Sequence, residues 1–96
     1  MKKKPLSGLM FTKKEDFIHP IYIKMPFNAC WTITNLFIPY NIQTICINSK
    51  HQIVDIATLE ANEAFYSPPK PYKYLIETPP GYNPFKAAKE LKEQSP

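Results

Sequence analysis

Ninety-six residues, 44% of them hydrophobic and 14% aromatic, suffice for one compact domain and are too apolar for a disordered chain. Eleven prolines and only two glycines exclude long regular helices and glycine-rich phosphate loops. The net charge of +4 is carried by lysine alone, and a chain without arginine lacks the bidentate fork that reads guanine edges, which argues against sequence-specific nucleic-acid recognition.

The chain begins with a basic tail over residues 1–5, and a single β domain is expected over 6–96. Leu6–Phe11 opens that domain with three core-seeking side chains, Leu9, Met10 and Phe11, after Gly8. From Phe17 to Met25 the residues Phe17, Ile21 and Ile23 form one apolar row, and Pro20 marks the segment as an edge or bulged strand. Cys30–Phe37 and Ile42–Asn48 are rich in β-branched and aromatic residues, and Pro39-Tyr40-Asn41 reads as the turn joining them into a hairpin. Gln52–Leu59 follows the turn Ser49-Lys50-His51 and continues a meander. Glu60–Tyr66 has the composition of a helical turn and leads into the extended loop Ser67-Pro68-Pro69-Lys70-Pro71. Tyr72–Thr78 is a strand with Tyr72, Tyr74 and Ile76 on one face and Lys73, Leu75 and Glu77 on the other, ended by Pro79-Pro80-Gly81. A helix is expected at about 84–94, because Asn83 is a good N-cap, Pro84 suits the first helical position, and Phe85, Ala88 and Leu91 recur on one side. The sum is a mainly β fold, a small barrel-like β-sandwich of about six strands with one C-terminal helix.

Charge is uneven: residues 1–14 hold five lysines and no acid, 15–69 two lysines and five acids, 70–96 five lysines and three acids. No apolar run approaches the length of a membrane-spanning helix, and the MKKKP start lacks the apolar segment of a signal peptide. Two cysteines are too few for a disulfide framework or a zinc site. Folding the expected hairpin about Pro39 sets Cys30 and Cys46 out of bridging register, so both are expected to be buried free thiols of a reducing interior, the cytoplasm or a virion. No nucleophile elbow, phosphate loop or metal-ligand spacing is present, and no cofactor, metal or catalytic residue is assigned. His19 precedes a proline and His51 lies in a turn. Asp55 and Glu77 are the acids embedded in strands, where a carboxylate needs a partner or water. Tyr66, Tyr72, Tyr74 and Tyr82 cluster around the proline loop, as rings that pack a loop on a sheet or form a stacking platform do.

Three stretches together resemble the family known as domain of unknown function 192. Its members open with Gly-Leu-Met-Phe, as do Gly8-Leu9-Met10-Phe11. Their central Phe-Trp-Met-Lys-Asn-Thr-Leu-Ile-Pro-Leu-Asp-Ile is similar to Trp31-Thr32-Ile33-Thr34-Asn35-Leu36-Phe37-Ile38-Pro39-Tyr40-Asn41-Ile42. Their closing Tyr-Val-Leu-Glu-Leu-Pro-Ala-Gly-Trp is similar to Tyr74-Leu75-Ile76-Glu77-Thr78-Pro79-Pro80-Gly81-Tyr82. The chain departs from the pattern at Pro5, where members have arginine, at Thr32-Ile33-Thr34, at Asn41, and in a turn at Ser49-Lys50-His51 without the members' glycine. The resemblance implies a small, mostly β barrel-like sandwich and no established activity.

The leading expectation is a non-enzymatic binding or structural module, with protein partners in a larger assembly such as a virus particle, or a homo-oligomer. A second is a small-ligand or enzyme site of the kind the family would retain, lined by Asn35, Asn41, Asp55 and Glu77. A third is sequence-independent nucleic-acid binding through the lysines.

Overall fold

The computed structural model describes residues 13–35, 38–62 and 65–94. The basic tail, the Leu6–Phe11 opening, and Leu36 and Phe37 lie outside the described residues. After a short 3-10 helix, Lys14–Asp16, come β1 (Ile21–Ala29), β2 (Ile42–Ile47), β3 (Ile53–Leu59), β4 (Tyr72–Thr78) and the helix α1 (Pro84–Gln94). The strands form an antiparallel sheet in the order β1-β4-β2-β3. The mainly β class and the C-terminal helix thus agree with expectation. The count does not: four strands are present among the described residues, not six, and the sheet is open rather than closed into a barrel.

Of the two expected strands not among these four, Leu6–Phe11 lies outside the described residues, and the described part of Cys30–Phe37, residues 30–35, is not a strand of the sheet. Its expected partner, β2, already has β3 on one side and β4 on the other, so no hydrogen-bonding edge is left for a hairpin. The segment instead crosses one face of the sheet as a cover. Ile33 and Tyr66 exchange backbone hydrogen bonds of 2.8 and 2.7 Å, Asn62 N–H donates to the Ile38 carbonyl at 2.9 Å, and the Tyr72 hydroxyl donates to the Trp31 carbonyl at 2.8 Å. Cys30 is consequently exposed rather than buried, whereas Cys46, inside β2, is buried as expected.

Both faces of the sheet are covered, which explains why β2 is apolar almost throughout. Under the cover lie Phe17, Ile21, Ile23 and Met25 with Ile42, Cys46 and Leu75, closed by Ile33, Ile38 and Tyr40. On the opposite face Tyr22, Ile45, Ile47 and Ile76 pack against Ala87 and Leu91 of α1. The buried helical pair is therefore Ala87–Leu91, one i,i+4 step, and Phe85 is 69% exposed, contrary to the face read from the sequence. The capping reading holds: Asn83 Oδ1 accepts from Phe85 N–H at 2.9 Å and Lys86 N–H at 3.3 Å. A register shift between Lys24 and Ala29 bulges β1, and Tyr72, the partner of Ala29, packs in the cluster of Leu75 rather than in that of Tyr74 and Ile76.

Two turns set the strand ends. Asn48 Oδ1 accepts from Lys50 and Gln52 N–H, both at 3.0 Å, and organises the β2–β3 connection. That turn needs a left-handed residue, and His51 supplies it with φ 62°, its ring stacked on Tyr74 at 5.1 Å. After β4, Gly81 adopts φ 89° behind Pro80, and Tyr82 N–H returns to the Pro79 carbonyl at 3.2 Å. Among the described residues no helix is long and apolar enough to cross a membrane.

Candidate functional site

The residue that stands out is Glu77. It lies in β4, an interior strand, flanked in the ladders by Ile21 of β1 and Thr44 of β2. Alternation along β4 sets it on the Leu75 side, beneath the cover, and it is 4% exposed. Its Oε1 is buried with no hydrogen-bond partner. Burial alone pushes its carboxyl up to about 7, so near neutrality the site holds either a proton or an incompletely served negative charge. The same charge, after burial, raises the Tyr40 phenol, which places the Tyr40 ring within electrostatic reach of Glu77. Tyr72 is raised likewise, by burial first, then by Cys46, Cys30 and Glu77.

Asn35 belongs to the cover and is fully buried. Its Nδ2 donates to the Glu60 carbonyl at 2.7 Å and to the Tyr40 carbonyl at 3.2 Å. These bonds fix the orientation of the amide, since an oxygen in that place would face two other acceptors. The consequence is that Oδ1 is buried without a partner. Glu77 and Asn35 therefore share a chemical state on one side of the sheet: each is buried, and each presents an acceptor that nothing serves.

The other two expected residues are placed differently. Asn41 is exposed, and its Oδ1 accepts from Ala61 N–H at 2.8 Å, so it ties the start of β2 to the turn after β3. Asp55 is half-buried on β3 opposite Cys46, on the same face as Glu77 but beyond β2 and one pleat along it. Its Oδ2 accepts the Tyr66 hydroxyl at 2.7 Å. Burial, with Asp55 second, pushes the Cys46 thiol up to about 12, which leaves it unreactive. Among the described residues no three His, Cys, Asp or Glu side chains are grouped closely enough to hold a metal ion.

Sequence reasoning missed Thr44, which pairs with Glu77 across the ladder, and the contact on this side of the sheet between the rings of Phe17 and Tyr40, whose centroids are 6.0 Å apart. Thr44 did leave a signal, as one of two polar side chains, with Gln43, inside the run from Ile42 to Ile47. The tyrosines around the proline loop pack rather than project: Tyr72 is fully buried, and Tyr66, Tyr74 and Tyr82 are half-buried against the two clusters.

No family model matches the chain, and no solved structure matches it. The chain is similar to a UPF0127 protein of Pyrococcus furiosus, with 35% identity over 77 residues that make up 77% of this chain and 62% of that protein. The chain thus spans 62% of the length of that relative, and what the two share is similarity to an uncharacterised family.

Proposed function

We propose that the chain is a divergent member of the domain of unknown function 192 family and serves as a non-enzymatic binding module, with a small ligand held between the cover and the sheet. The carrying observation is the pair of buried, unpartnered acceptors, Glu77 Oε1 and Asn35 Oδ1. Leaving such atoms unmet costs about 1–3 kcal/mol each, which a domain of this size tolerates where a ligand recovers it. Family membership is supported by the three resembling stretches and by the similarity to the Pyrococcus furiosus protein. Binding is favoured over catalysis because the other polar candidates are engaged: Asp55 by Tyr66, Asn41 by the Ala61 amide, and Cys46 by burial.

The test is a screen of small amides, amines and amidines by amide chemical shifts on the whole chain. Saturable shifts at Thr44, Glu77 and Asn35 that disappear in Glu77→Gln are the expected result. A screen in which no compound moves those residues overturns the reading.

A second reading is a structural subunit of a larger assembly, in the cytoplasm or a virion. It is favoured by Ile18, Phe27, Phe65 and Phe85, which are 60–69% exposed. Sedimentation equilibrium decides it, since a monomer at high micromolar concentration contradicts self-assembly.

A further inference from the structure

We propose that the chain pairs with a second copy of itself through the outer edge of β3, the two strands running antiparallel about a two-fold axis at Ile56. The inference rests on the assembly reading and names its surface; it is independent of the ligand reading.

The sheet has two edges, and they are built differently. β1 carries the features that keep an edge from pairing: Lys24 is exposed, Pro26 has no N–H to offer, and the register shift between Lys24 and Ala29 bulges the strand. β3 is a seven-residue strand with neither lysine nor proline. Its irregularity lies near its start, opposite Cys46 and Ile47, and Asp55–Leu59 run in regular register. Among the described residues, every hydrogen bond of the β3 backbone is made to β2, so its outward N–H and C=O groups are unpaired. Such an edge is a template for another strand.

The side chains favour the same contact. On the helix side α1 packs over β1, β4 and β2, and Ile56 of β3 is left 42% exposed. Asp55, the charged side chain of β3, is already engaged by the Tyr66 hydroxyl. An axis at Ile56 sets the two exposed isoleucines opposite each other and Asp55 opposite Ala57 of the second copy. An axis one residue earlier would put two carboxylates face to face, which disfavours that register.

Charge selects the partner and the direction. A chain of net charge +4 repels its own copy wherever lysines meet, and residues 51–69 hold none of its twelve lysines. Exposed Lys50 precedes β3 and exposed Glu60 follows it. Antiparallel pairing about Ile56 brings Gln52 opposite Glu60 of the second copy, with Lys50 two residues further along, and the axis makes that contact twice. Parallel pairing would set Lys50 against Lys50. The two-fold arrangement uses up both edges and closes at the dimer. A contact of seven residues a side is small, so a dissociation constant on the order of 100 μM is expected.

The experiment is sedimentation equilibrium of the full chain from low to high micromolar concentration, with backbone amide shifts followed over the same range. A monomer–dimer equilibrium with concentration-dependent shifts in β3 and none in β1 is the expected result. Ile56→Lys, at an exposed position, should keep the amide spectrum of the folded monomer and weaken the dimer by about tenfold or more. Lys50→Glu and Glu60→Lys should each weaken it severalfold, and an equimolar mixture of the two should restore it, because unlike charges then meet at both ends. A dimer that Ile56→Lys leaves unchanged, with shifts at Ile18, Phe27 or Phe85, overturns the edge assignment and leaves the assembly reading standing. Mass that keeps growing past the dimer overturns the closed two-fold pairing, and loss in both charge variants without recovery in the mixture overturns the antiparallel direction. A monomer at every concentration overturns the pairing and the assembly reading together.

Discussion

Thr44 is the direct cross-strand neighbour of Glu77, yet its hydroxyl is 3.5 Å from the Ala57 carbonyl on the far strand and makes its contact there. The one polar side chain that the sheet sets beside the carboxyl is thus turned towards β3. What is left to Glu77 is an apolar layer, and its chemistry follows from that.

Stability should fall as pH rises. A carboxyl whose folded midpoint is raised from 4.5 to about 7 binds more protons in the folded state between those values. The native form therefore suffers no penalty below about pH 4.5, loses stability through about 7, and levels off above. The difference amounts to roughly 3 kcal/mol. Urea unfolding at pH 5 and pH 8 measures it, and Glu77→Gln should remove most of the difference by stabilising the chain at pH 8.

Asn35→Ala should destabilise by about 2–4 kcal/mol, because the carbonyls of Tyr40 and Glu60 lose their donor together and a fully buried side chain is truncated. Asn41→Ala removes one bond at an exposed position and should cost about 1 kcal/mol. Denaturant midpoints of the two variants give the ordering.

The helix offers a contrast in one element. Leu91→Ala empties a buried position and should cost about 2–4 kcal/mol, while Phe85→Ala should stay within about 0.5 kcal/mol. Asn83→Ala should fall between them, near 1 kcal/mol, through loss of the cap. Thermal unfolding of the three variants separates these values, and a large loss in Phe85→Ala would restore the face read from the sequence.

The two thiols should react at separate rates. Cys30 is exposed and should be modified by a maleimide in the native state at neutral pH. Cys46 is buried, with its thiol pushed up to about 12, and should react only as the sheet unfolds. Mass spectrometry of the singly labelled protein locates the modified residue.

Much of the sheet was legible in the sequence because its strands are dense in β-branched side chains. Tyr72–Thr78 was read with its observed bounds, and Ile42–Ile47 and Ile53–Leu59 within a residue. α1 was legible from Asn83-Pro84, since a cap and a pre-set φ mark a helix start independently of packing. Partners across the sheet were not legible. Nothing in Cys30–Phe37 tells that β4, far along the chain, takes the edge of β2 that a hairpin would have used. Ala87 is too small to mark a helix face in competition with Phe85, so the buried side was misread. Glu77 was singled out as a strand-embedded acid, but its alternation with Lys73 read as a polar face. Its burial follows from its place in an interior strand of a sheet packed on both faces.

The central claim is that Glu77 is a buried carboxyl awaiting a donor, and the pH titration of its side-chain carboxyl carbon by NMR tests it most directly. A midpoint near 7 is the predicted result. A midpoint in the ordinary glutamate range of about 4–4.5 would contradict it.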